Sequence, residues 1–168
     1  INRVLSLIIK YYDGIVPNPK SLDEENKRTI EEAKTYPDLI GKNLNEFKFR
    51  EAIKSLINLA RTGNKFLAES EPWKLQKSNP EKVKEILHVG YIVTCYIAIL
   101  SEPFLPSTSK KLKSQLNLAK IENWDDLENL NSKIDFSFQI KAEEVLFRKI
   151  EDDEVAKQIE KLNKISNQ

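Results

Sequence analysis

The chain is predicted to be all-α, a bundle of about five helices with one irregular segment before the last helix. Three observations lead there. Only 4 of its 168 residues are glycine, and Leu, Ile, Lys and Glu dominate, which favours helices over a β-sandwich. Apolar residues recur at i, i+3 and i+4 through the longest segment. Helix-start signals stand where the pattern needs them, as at Asn79-Pro80.

The elements follow in order. Val4, Leu5, Leu7, Ile8 and Tyr11 stand mostly at helical spacing, so residues 1–12 form a first helix, ended by Asp13-Gly14. Val16-Pro17-Asn18-Pro19 is a loop. Ser21 is the expected N-cap of a second helix, with Asp23, Glu24 and Glu25 complementing its dipole. That helix runs to Thr35, is dented by Pro37, and is followed by a turn at Gly41-Lys42-Asn43. Asn45 opens the longest helix, to about Ser70, with Phe49, Ala52, Ile53, Leu56, Ala60, Gly63 and Leu67 on one face. Glu81–Ser101 is apolar nearly all round in its second half and reads as a central buried helix; His88, Gly90 and Thr94 interrupt it as a membrane span. Pro103 and Pro106 bracket a break, and Ser107 starts a short helix through Leu116. Residues 121–140 are irregular. Trp124 lies near an acidic turn, and Ile134, Phe136, Phe138 and Ile140 alternate as an extended segment or a packed loop. A last helix spans residues 152–165 with Val155, Ile159 and Leu162 as its stripe.

Length fits one domain, residues 1–168. The net charge of +1 does not announce a nucleic-acid binder. Its distribution is more telling. Lys42, Lys48, Arg50, Lys54, Arg61, Lys65, Lys74 and Lys77 outnumber Glu46, Glu51, Glu69 and Glu71, whereas acids prevail from Ile121 onward. Cys95 is the sole cysteine, which excludes an internal disulfide and agrees with a cytoplasmic setting. No residue is methionine, so a piece of a longer polypeptide is expected.

Chemistry is sparse. His88 is the only histidine, and its place in the most apolar helix marks it as a core residue rather than a base. One His and one Cys make no zinc site. Neither Gly-x-Gly-x-x-Gly nor Gly-x-x-x-x-Gly-Lys-Ser/Thr occurs. The run Glu151-Asp152-Asp153-Glu154 suits a helix start better than a metal. What remains is the corner Glu71-Pro72-Trp73-Lys74. Proline resists continuing a helix, so Trp73 is expected on a connection. There it is either a plug for the end of the bundle or a platform for an unpaired base, with Lys65, Lys74 and Lys77 nearby.

These pieces, in this order, resemble the anticodon-binding domain of methionyl-tRNA synthetase. The likeness runs from Asn2-Arg3-Val4-Leu5 and Tyr11-Tyr12-Asp13-Gly14 through Phe49-Arg50-Glu51-Ala52, Gly63-Asn64-Lys65 and Glu71-Pro72-Trp73-Lys74. It continues in Ala98-Ile99-Leu100-Ser101-Glu102-Pro103-Phe104-Leu105-Pro106 and ends in Leu146-Phe147-Arg148-Lys149-Ile150-Glu151. The resemblance implies the helix bundle of class I synthetases and a role in reading the CAU anticodon of the methionine tRNA. The parent enzyme joins methionine to that tRNA with ATP and magnesium. Its catalytic domain would precede residue 1, and its His-x-Gly-His and Lys-Met-Ser-Lys-Ser motifs are absent here. No catalytic residue, metal or cofactor is therefore expected in the chain. Trp73, beside Pro72, would stack on the first anticodon base, and Arg3 would contact the anticodon. Asn64 either bonds a base or holds the loop backbone. Arg61, Lys65, Lys74 and Lys77 are candidates for phosphates. The expected partners are tRNA and the parent catalytic domain, in the cytoplasm, with no membrane. Two alternatives stand beside this reading: the equivalent domain of the leucine, valine or cysteine enzyme, or a protein-interaction bundle with Trp73 in its core.

Overall fold

The spine of the fold is α6, Pro80–Leu100. Its second half is apolar on every side, so it is stable only when neighbours cover it on every side. A computed structural model describes residues 1–118, 120–121, 123–140, 146 and 149–166. In it α1 (Asn2–Tyr12), α2 (Glu24–Lys34), α4 (Phe49–Ser70), α5 (Pro72–Leu75) and α7 (Pro106–Gln115) all pack on α6. The bundle is completed by α3 (Tyr36–Asn45) against α4, a 3-10 turn (Trp124–Asn129) and α8 (Leu130–Lys133), and a last helix, α9 (Asp152–Ser166), follows with residues 155–165 exposed. The class is all-α.

α6 starts as its sequence dictates: Asn79 Oδ1 accepts from Lys82 N–H (3.1 Å) and Pro80 takes the first position. Length and composition would let it cross a membrane, but 83% of its most apolar stretch is buried by its neighbours. Its polar atoms are satisfied across the bundle. Tyr91 OH donates to Leu116 O (2.9 Å) and Tyr96 OH to Leu127 O (3.1 Å), tying down the ends of α7 and the 3-10 turn. Burial pushes the Tyr96 phenol up to about 12 and raises the Cys95 thiol, so neither ionises near neutrality.

Several boundaries differ from expectation. Asp23, not Ser21, caps α2, accepting from Asn26 N–H at 2.9 Å. The second helix is two helices: Tyr36-Pro37 open α3, and Gly41-Lys42-Asn43 lie inside it rather than in a turn. Proline's missing N–H is harmless in a first turn, so Pro37 begins a helix where it was expected to dent one. α4 begins at Phe49 rather than Asn45, after Phe47 takes a left-handed φ of 58°. Its core face is Ala52, Ser55, Leu56, Leu59, Phe66 and Leu67. Phe49 and Ile53, expected on that face, are exposed, as are Val155, Ile159 and Leu162 of α9.

The alternating segment is a packed loop. Ile134 and Ile140 are buried, and one antiparallel bridge joins Gln139 to Ile15. Phe136 stacks on His88 (centroids 5.4 Å apart), whose Nδ1 lies 2.9 Å from Pro17 O. His88 is 4% exposed, and burial lowers its pKa from 6.5. The unfolded chain therefore binds a proton at His88 that the native chain refuses, so stability is whole above about pH 6.5 and falls as pH drops through the window beneath it. The expected result is a thermal midpoint that drops between pH 7 and 5.5 more steeply in the unaltered chain than in His88→Gln. Equal slopes would contradict it.

Candidate nucleic-acid interface

Trp73 reaches the surface because two helices meet at a sharp corner. α4 ends at Glu71, which adopts φ 41° and ψ 53°. That left-handed backbone is uncommon for a residue with a side chain, and it turns the chain so that Pro72 opens α5. Trp73 is thus on a one-turn helix, not on the open connection expected. Glu71 holds the turn through its carboxylate on Lys74 Nζ (2.8 Å) and its carbonyl on Lys74 N–H (2.9 Å). Pro72 is buried; Trp73 is 40% exposed.

Arg3 comes to it from the other end of the sequence. α1 approaches α6 closely because Gly90 has no side chain: a Cβ there would lie 3.0 Å from Val4 Cγ2. The residue before Val4 then stands over the corner, with Arg3 Cζ 6.0 Å from the centroid of the Trp73 ring. This is the edge of cation–π range. An indole and a guanidinium are the two kinds of planar surface on which unpaired bases stack, and here they stand side by side at the surface.

The other candidates sit farther out. Arg61, Asn64 and Lys65 are exposed along the last turns of α4, at i, i+3 and i+4. The helix puts Asn64 roughly 10 Å before Glu71. No described contact joins these three to Trp73. Arg61 donates to Asn58 Oδ1 (3.1 Å), Lys65 lies 3.9 Å from Glu69, and Asn64 makes no side-chain hydrogen bond among the described residues. Asn64 stands inside a helix, so it does not brace a loop. Lys77 is exposed just after α5. Phe147 and Arg148, part of the terminal motif, lie outside the described residues. The sequence names Glu71 as part of the corner without a role of its own, and Gln76 not at all. The Pro after Glu71 signals an interruption, but not its hand.

The Cys95 thiol is fully buried and held protonated, and no group of three His, Cys, Asp or Glu able to hold a metal ion occurs among the described residues.

Comparison with known proteins identifies the family. Residues 16–167 match the family described as the anticodon binding domain of methionyl tRNA ligase. Methionine–tRNA ligase of Christiangramia forsetii is 46% identical over 96% of the chain and 24% of its own length. The Porphyromonas gingivalis ligase is 41% identical over 100% of the chain and 25% of its own length. The chain thus spans about a quarter of the relatives it matches. Mycobacterium tuberculosis methionyl-tRNA synthetase in complex with methionyl-adenylate shares the fold, with a TM-score of 0.74 at 19% identity over 88% of the chain and 29% of that protein. Profile, relatives and fold together place this chain in the family of anticodon-binding domains of methionyl-tRNA ligases.

Proposed function

We propose that residues 1–168 act as one domain that binds the CAU anticodon loop of the methionine tRNA, with Trp73 stacking on the first anticodon base. The observation that carries this is the half-exposed indole under the Arg3 guanidinium. Single-stranded RNA is recognised by splaying bases onto such surfaces and reading their edges. Arg3 supplies the planar donors. Arg61, Lys65, Lys74 and Lys77 supply phosphate contacts, those of Lys65 and Lys74 in exchange for exposed ion pairs that are weak in water. Asn64, unengaged, serves a base or a ribose. The longer protein would join methionine to this tRNA in the cytoplasm, its catalytic domain outside residues 1–168 supplying the sites for ATP and magnesium.

The test is a titration with anticodon stem-loops, following Trp73 fluorescence in a Trp124→Phe background that leaves one indole. The expected result is quenching, tighter binding of CAU than of altered loops, and weakening as salt rises. Equal affinity for altered loops would refute anticodon reading.

A further inference from the structure

Gln76 closes α5, three residues after Trp73, so the two side chains share one face of that turn. Its Oε1 is buried and has no hydrogen-bond partner, the one such side-chain atom among the described residues. A buried carbonyl oxygen without a donor raises the free energy of the state that contains it, and native structures give nearly all such atoms a partner, in the protein, in ordered water or in a bound ligand. Gln76 as a whole is only half-buried, and the last torsion of a glutamine is soft and roughly two-fold, so a turn about it exchanges the buried Oε1 with Nε2.

The groups around the indole say what it would meet there. Arg3, Lys74 and Lys77 can only donate. The Glu71 carboxylate is engaged by Lys74. The corner is rich in donors for the oxygens and ring nitrogens of a base. A base's exocyclic amino group needs an acceptor, and helical spacing puts one without a partner, Gln76 Oε1, on the Trp73 face of the turn. We infer that Gln76 is a specificity-determining residue, its amide oxygen accepting from the amino group of the base stacked on Trp73 and so favouring cytosine over uracil. This rests on the stacking role of Trp73 proposed above.

The experiment uses the Trp124→Phe chain and two stem-loops that differ by cytosine or uracil at the first anticodon position, which exchanges an amino group for a keto oxygen. One hydrogen bond corresponds to roughly a threefold to tenfold preference for cytosine. Gln76→Ala should bring that ratio close to one while both loops still quench Trp73. Gln76→Glu, which keeps an acceptor, should retain the preference. Urea unfolding of Gln76→Ala should show no loss of stability, because the alanine removes an unsatisfied atom. A cytosine-to-uracil ratio unchanged in Gln76→Ala would overturn the assignment. Absence of quenching by either loop in the Trp124→Phe chain would overturn the stacking, and the assignment with it.

Discussion

Trp73→Ala should weaken binding of a CAU stem-loop by about 1–3 kcal/mol, the worth of one base–aromatic stack, or roughly fivefold to 150-fold in Kd. The same change has a second effect that must be separated from the first. The indole is 60% covered, and a tryptophan of about 200 Å² then loses about 120 Å² of burial, close to 3 kcal/mol at 25 cal/mol per Å². Urea unfolding without RNA measures that loss; titration well below the unfolding midpoint measures the other. Trp73→Phe divides them differently, keeping a stacking ring while giving up part of the buried area. A folded Trp73→Ala chain that binds the CAU loop as tightly as the unaltered one would contradict the stacking role. If the indole were only a plug for the end of the bundle, stability would fall and affinity would not.

The Pro72-Trp73 corner was legible because its signals are local. Proline cannot continue the interior of a helix whatever surrounds it, and an aromatic after it leaves the core stripe. The same holds for the start of α6, where Asn79 and Pro80 fix the cap within four residues. α4 shows where local signals stop. It carries two apolar stripes, the buried one through Ala52, Leu56 and Leu59 and the exposed one through Phe49, Ile53 and Ile57. Periodicity says which residues share a face, not which face meets the core. The meeting of Arg3 and Trp73 spans 70 positions and depends on Gly90 letting α1 close on α6; the family resemblance pointed to this pair, and spacing alone did not. Gln76 was silent for a related reason. Whether an amide finds partners is decided by the tertiary surroundings, and no neighbour in sequence reports it.

Gly14→Ala should destabilise the chain by about 2–3 kcal/mol, through backbone rather than through core volume. Asp13 and Gly14 both turn left-handed to end α1, with φ of 51° and 83°, and Gly14 N–H reaches back to Ile8 O (3.3 Å). Left-handed backbone costs a residue with a Cβ about 1–2 kcal/mol. A Cβ on Gly14 would also run into the carbonyl oxygen of Ile140, and a backbone atom cannot rotate away. The clasp of the packed loop gives way instead: Ile140 N–H on Gly14 O (2.9 Å) and Gln139 Nε2 on Asp13 O (2.7 Å). Breaking such bonds adds roughly 1 kcal/mol. The loop carries Phe136 over His88, so detachment has a spectroscopic readout. His88 is the only histidine, its imidazole resonances need no assignment, and in the unaltered chain burial holds its pKa below 6.5. In Gly14→Ala water reaches the ring, and the titration should move up toward 6.5. A variant that keeps both the urea midpoint and the His88 titration of the unaltered chain would show that residues 134–140 are held by their buried side chains alone, without the clasp at Gly14.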